Sequence, residues 1–329
     1  MRILLRLVLA PLALAPLALA LLISVPASAQ PSWPQKQVRV IVPFPPGGTN
    51  DVLCRIIGEK LGEVWSQPVV VENKPGAGGN VGAEIAYRAE GDGYTLLCSP
   101  PGPLSINHNL YKSLAYDWSK FAPVSVLALS PNVISARADF PASSAKELVA
   151  FAKANPGKVT FATQGNGSTS HLTAEMFATQ AGVKLLHVPY KGEAPALVDI
   201  AAGRVDLYFG NVSAALRFEK AKRLKFFAVT SRTRSPVTPD TPNASQIGMP
   251  DLIASAWFAV VAPPGTPDAV VQKINADTAA ALKLPDVRAK FADLGSEPVG
   301  QSTAATAAFI KEEEARWRNV IKSANVTLE

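Results

Sequence analysis

A short β-branched run, a loop of glycine and proline, and then apolar residues at helical spacing recur along almost the whole chain, and this order restricts the fold more than any other feature. Val38-Arg39-Val40-Ile41-Val42 leads through Pro43-Phe44-Pro45-Pro46-Gly47-Gly48 into a helical pattern that opens near Asp51, with Leu53, Ile56, Ile57 and Leu61 at helical spacing. Val69-Val70-Val71 and the loop over residues 73–80 begin the next unit, with a helix predicted over 81–88 and a strand over 94–97. Strands bounded by glycine and proline and alternating with helices predict an α/β chain with mostly parallel sheets.

Two passages break this rhythm. Residues 121–136 form a long β-branched stretch with Pro131 in its middle, and residues 256–262 form a second extended run, so both are expected to be crossovers. Between them the units resume: helix 144–154, strand 159–162, loop 163–169, a helix to residue 180, strand 185–188, helix 194–202, strand 206–209 and a proline-, serine- and threonine-rich loop over 231–242. Two lobes are therefore expected, one from residues 30–130 plus 256–329 and the other from 131–255. A last helix over 303–323 places Ile310, Trp317 and Ile321 on one face and is expected to pack back on the first lobe. Glu312/Arg316 and Glu314/Arg318 form i, i+4 pairs on its other, solvated face.

The first 29 residues stand outside this pattern. Arg2 and Arg6 precede residues 7–25, which carry no charge, and Ala27-Ser28-Ala29 follows. This is the pattern of a cleavable signal peptide, with cleavage expected after Ala29 and a periplasmic mature chain. The rival, an uncleaved anchor, is disfavoured by Pro11, Pro16, Pro26 and the A-x-A site. The whole chain is 48% apolar and 18% charged, and the part that follows the leader can bury a large core. Of the net charge of +6, two positive charges lie in the leader, and the other basic residues are scattered, which argues against nucleic acid. Cys54 and Cys98 are too few for a disulfide scaffold, although they could pair if the fold brings them together. His108, His171 and His187 lack ligand spacing, so neither a metal nor a cofactor is expected.

The candidate chemistry lies in one glycine loop per half. Gly47 and Gly48 permit positive φ and close backbone approach, and Thr49, Asn50 or Asp51 is expected to cap the helix that follows. Asp51 is assigned to this capping support because its charge would repel an anion. Exposed N–H groups at such a helix start favour an anion. Residues 163–171, Thr163-Gln164-Gly165-Asn166-Gly167-Ser168-Thr169-Ser170-His171, repeat the design with added hydroxyls. Neither loop holds Lys or Arg, so a bound carboxylate would rest on neutral donors. The glycines over 76–82 miss the dinucleotide spacing. A Ser168, His171, Asp206 triad lacks the G-x-S-x-G context, and no catalytic residue is assigned. Lys191, in Tyr190-Lys191-Gly192, is read as a solvated loop lysine before a ligand contact.

The blocks Val42-Pro43-Phe44-Pro45-Pro46-Gly47-Gly48-Thr49-Asn50-Asp51, Val71-Glu72-Asn73-Lys74-Pro75-Gly76-Ala77-Gly78-Gly79-Asn80-Val81-Gly82, Gly93-Tyr94-Thr95-Leu96-Leu97 and His187-Val188-Pro189-Tyr190-Lys191-Gly192 resemble the Bug, or tripartite tricarboxylate transporter, substrate-binding proteins. The likeness extends over essentially the whole mature chain. It implies a periplasmic Venus-flytrap fold, monomeric, closing on a small organic acid and delivering it to a tripartite tricarboxylate-type membrane permease. It further implies ligand contacts from Phe44, Gly47, Gly48 and Thr49 in one lobe and from Thr163, Gly165, Gly167 and Ser168 in the other. Asn211, just past the strand ending at Phe209-Gly210, falls where family members carry Asp or Asn facing the cleft. An exported enzyme acting on a carboxylate and a receptor reporting to a sensor kinase are the alternatives; the first lacks a nucleophile and base pair.

Overall fold

The computed structural model describes residues 33–327, so the leader and the Ala29 cleavage site lie outside the described residues. Strand β1 (Val38–Val42) runs through the first glycine loop into α1 (Thr49–Trp65), followed by β2 (Val69–Asn73), α2 (Asn80–Tyr87) and β3 (Thr95–Ser99). The apolar stretch centred on Pro131 is one long strand, β4 (Ala122–Arg137). Then come α3 (Ala145–Ala154), β5 (Thr160–Thr163), α4 (Thr169–Ala181), β6 (Leu186–Pro189), α5 (Glu193–Ala201), β7 (Leu207–Asn211), α6 (Val212–Lys220) and β8 (Leu224–Val229). The chain ends with β9 (Ser255–Ala262), α7 (Asp268–Ala281), α8 (Pro285–Asp293), the short β10 (Glu297–Pro298) and α9 (Thr303–Ser323).

These strands form two mixed sheets that share β4. In the first, β1 lies parallel between β2 and β3, while β9 runs antiparallel to both β3 and β4. In the second, β5 lies parallel between β6 and β7, while β7 and β8 pair antiparallel with β4. The parallel limbs come from the βα units, and the antiparallel pairs arise because the crossover strands enter each sheet from the opposite lobe. Pro131 is the last β4 residue paired with β9, and Asn132 is the first paired with β7. Proline at this change of partner is economical, because it has no N–H to leave unpaired.

The return passage lies beside the outgoing one. Thr230 N–H donates to Asn132 O at 2.8 Å, Ala254 N–H to Thr230 O at 2.9 Å and Asn132 N–H to Ala254 O at 3.2 Å. On the first sheet Ile41, Leu97, Trp257 and Ala259 pack with Ile310 of α9. Both faces of the second sheet are covered, Phe209 on one with Phe161 and Phe177, and Tyr208 on the other with Leu197 and Ile200. That double coverage explains the continuous apolar run of β7. The front of α9 packs on the first lobe as expected, but Trp317 and Ile321 also pack with Leu172 of α4 in the second.

The predicted solvated face of α9 needs correction. Glu313 and Glu314 are buried: Trp257 and Trp317 each donate an indole N–H to Glu313 Oε2 at 3.0 Å, and Arg316 pairs with Glu313, not Glu312. Glu314 keeps Arg318 and also meets His108 at 2.7 Å. Cys54 and Cys98 are buried as free thiols. Among the described residues no helix is long and apolar enough to cross a membrane, and no cluster could hold a metal ion.

Candidate functional site

Both glycine loops lie at the carboxyl ends of parallel strands, where α/β sheets place their ligand crevices. The first joins β1 to α1. Gly47 takes φ +84°, a conformation that favours glycine, whereas Gly48 is extended and serves as the N-cap of α1 with no side chain to cap it. Asp51 is therefore not the cap. It sits in the first turn, where Oδ2 accepts Gly47 N–H at 2.9 Å and Oδ1 accepts from Arg55 and Asn73, so it braces the loop. Burial pushes its carboxyl up, but the hydrogen bonds from Arg55, Gly47 and Asn73 outweigh this and hold it below the usual range. Phe44 O accepts from Asn73 at 2.9 Å, and the Phe44 ring lies against Gly79.

The second loop joins β5 to α4, with Gly165 at φ +132° and Gly167 at φ +75°. Ser168 is the N-cap: its hydroxyl accepts His171 N–H at 3.3 Å and donates to Gly165 O at 2.6 Å. Thr163 Oγ1 accepts Gly165 N–H at 3.2 Å and meets His187 Nε2 at 2.7 Å. Both predicted hydroxyls are thus engaged in shaping the loop. His171 and His187 stack at 4.2 Å behind it. Burial, and for His171 also the neighbouring His187, pushes their pKa values down to about 3 and about 4, so both rings are neutral near pH 7. Asp206 is occupied by Arg137 and Thr160 at the far end of the strands, which removes it from any triad. Lys191 is exposed.

The loops meet around a side chain that the sequence pattern does not single out. Glu193, the first residue of α5, is 5% exposed and projects from the second lobe onto the start of α1. Thr49 N–H donates to its Oε2 at 2.7 Å, Asn211 Nδ2 donates to Oε1, and the Tyr208 hydroxyl reaches Oε1 at 3.5 Å. A Cβ on Gly48 would lie 3.2 Å from Oε2, and one on Gly192 would lie 2.9 Å from Pro45 Cδ, so glycine on each side permits the approach. Burial pushes the Glu193 carboxyl above its usual range, and the donors from Thr49, Asn211 and Tyr208 offset this only in part. Thr49 Oγ1 also meets Ser213 Oγ of α6 at 2.8 Å across the lobes.

Phe44, Gly48, Gln164, Glu193, Asn211 and Phe258 help to line one cavity of about 10 Å³, the space of a single water. Of the predicted site residues, Phe44, Gly48 and Asn211 line it, and Thr49 reaches it through its hydrogen bond to Glu193. Gly47 opens to a neighbouring surface pocket, and Thr163, Gly165, Gly167 and Ser168 stand beside Gln164 as loop framework. Asn211 is the last residue of β7, not a residue past it, because α6 follows with no intervening loop. Its Oδ1 is buried without a partner.

Comparison with known proteins decides what this crevice belongs to. The profile of the tripartite tricarboxylate transporter family receptor matches residues 53–326. The chain belongs to this receptor family. The receptor is 36% identical to the protein BugT of Bordetella pertussis over 308 residues, covering 93% of this chain and 94% of BugT. Among solved structures it resembles Rpa4515 of R. palustris with adipate, at 36% identity and TM-score 0.88, covering 90% of this chain and 99% of that one. It also resembles MatC (Rpa3494) of Rhodopseudomonas palustris with bound malate, at 32% identity and TM-score 0.84, covering 88% and 99%. It is thus a solute-binding receptor of a transport family, and not an enzyme.

Proposed function

We propose that this periplasmic receptor closes its lobes on a dicarboxylate or related organic acid and hands it to a tripartite tricarboxylate-type permease. The observation that carries this reading is the carboxylate of Glu193 resting on the Thr49 N–H at 2.7 Å, with Asn211 as second donor. The start of α1 therefore has the shape and polarity to seat a carboxylate, as helix N-termini do. Phe44, Gly47, Gly48 and Thr49 would hold one end of the ligand, and Asn211 with the loop of Thr163, Gly165, Gly167 and Ser168 the other. Because the Thr163 and Ser168 hydroxyls are engaged within that loop, its contribution comes from backbone groups and from the bare approach its glycines leave. The adipate and malate bound by the two similar proteins fit the same class. Lobes of residues 30–130 plus 256–329 and 131–255 are supported by the change of sheet partner at Pro131, and the A-x-A pattern supports cleavage after Ala29.

Thermal shifts across succinate, malate, adipate and aromatic monocarboxylates test the proposal. An acid at about 100 times its dissociation constant raises stability by roughly 2.7 kcal/mol. If no acid raises the midpoint, the assignment of the seat fails.

A further inference from the structure

We infer that Glu193 is a built-in competitor for the ligand carboxylate: its side chain occupies the anion seat at the start of α1 and latches the lobes together until an incoming acid displaces it. The inference rests on the carboxylate-receptor reading and adds to it what fills the seat beforehand.

Three observations converge. The donors assigned to a ligand, the Thr49 N–H and the Asn211 amide, are both used by Glu193. The carboxylate arrives from α5 in the second lobe and bonds to α1 in the first, so it closes the cleft by the same contact a ligand would make. The cavity beside it holds about one water, so a four- to six-carbon acid does not fit there beside the seated Glu193 side chain. A carboxylate poised to receive an ammonium group would turn free oxygens to the cavity. Both oxygens of Glu193 are instead taken by Thr49, Asn211 and Tyr208. What stays unpartnered is the buried Asn211 Oδ1, an acceptor suited to a hydroxyl or N–H of the displacing molecule.

Competition by a tethered group has a signature distinct from ligand contact. Removing it raises the competent fraction of receptor and scales every acid's affinity by one common factor. Glu193→Ala is therefore expected to tighten succinate, adipate and propionate alike, by about fivefold or more, when measured by calorimetry. Glu193→Gln, which keeps the shape but not the charge, gives a smaller common gain and serves where the alanine variant folds poorly. In the absence of acid, Glu193→Ala shows a larger radius of gyration by solution scattering than the wild type, because the latch is gone.

Equal gains together with ligand-free opening support the latch. Unchanged or weaker binding by folded variants, a loss confined to one acid, or an unchanged radius overturns it while leaving the carboxylate reading intact. If wild type and both variants bind none of the acids, the carboxylate reading falls, and the competition with it.

Discussion

Gly48 and Gly47 stand side by side and matter for different reasons. Gly48 is extended, a conformation open to any residue, but its missing side chain is the gap through which Glu193 reaches Thr49. Gly48→Leu is therefore expected to push Glu193 off Thr49, to lower the unfolding midpoint accordingly and to abolish carboxylate binding by calorimetry in the protein that still folds; retained affinity would move the seat elsewhere. Gly47 has open space around it but φ +84°, so Gly47→Ala costs roughly 1–2 kcal/mol of stability in denaturant titration. The stacked His171 and His187 supply a pH dependence. Their folded pKa values, about 3 and about 4, lie below the ordinary 6.5, so the unfolded chain binds more protons over that interval. Their contribution is complete above pH 6.5 and is lost as pH falls toward 4 and then 3. Thermal midpoints of the ligand-free protein are expected to decline below pH 6.5, and a double His171→Gln, His187→Gln variant declines less. The loop glycines were legible in sequence because turn chemistry is local. Glu193 was not: an acidic residue opening a helix reads as an ordinary dipole partner, and only the meeting of the lobes, Thr49 to Glu193, gives it a role.

At the scale of elements, α9 is the piece whose chemistry departs most from its pattern. Its apolar stripe was readable, but i, i+4 spacing could not reveal that Glu313 faces two buried indoles. Glu313→Ala leaves both indole N–H groups and Arg316 without this acceptor. It is expected to cost about 2–6 kcal/mol in chemical denaturation, at about 1–3 kcal/mol for each of the two buried indole donors left unpaired. The βα units with glycine loops stand within a few residues of their predicted bounds, because hydrophobic periodicity and turn residues mark them from both sides. Residues 212–229 carry no such marks: α6 starts directly on Asn211, and its strand β8 follows after a short turn. The helices α7 and α8 were equally silent, since α7 buries only Val271, Ile274, Thr278 and Ala281 along its length.

For the whole molecule, the lobes meet through two passages, at Pro131 and at Ala254, and through contacts across the cleft. Closure on an acid should register in both lobes at once. Because a saturating carboxylate outcompetes the Glu193 latch, amide exchange is expected to slow together at residues 44–51, 163–168 and 190–193 beyond the protection the latch already gives, with the sheet interiors unchanged. Protection confined to one lobe would argue against a shared cleft. That two α/β sets exist was legible from the extended runs. How near they stand was not, because side chains separated by 144 residues, such as Thr49 and Glu193, carry no local sign of each other.

The sharing of β4 and the late return of β9 also set an order of assembly. The second sheet draws β5, β6, β7 and β8 from one unbroken stretch beginning in β4, so it can form from neighbouring chain. The first sheet stays open at its middle until β9 arrives beside β3, joining Leu97 to Val261 across the whole insert. Loop-closure entropy falls once that insert has already condensed, so the lobe inserted in the middle of the chain is the one that folds first.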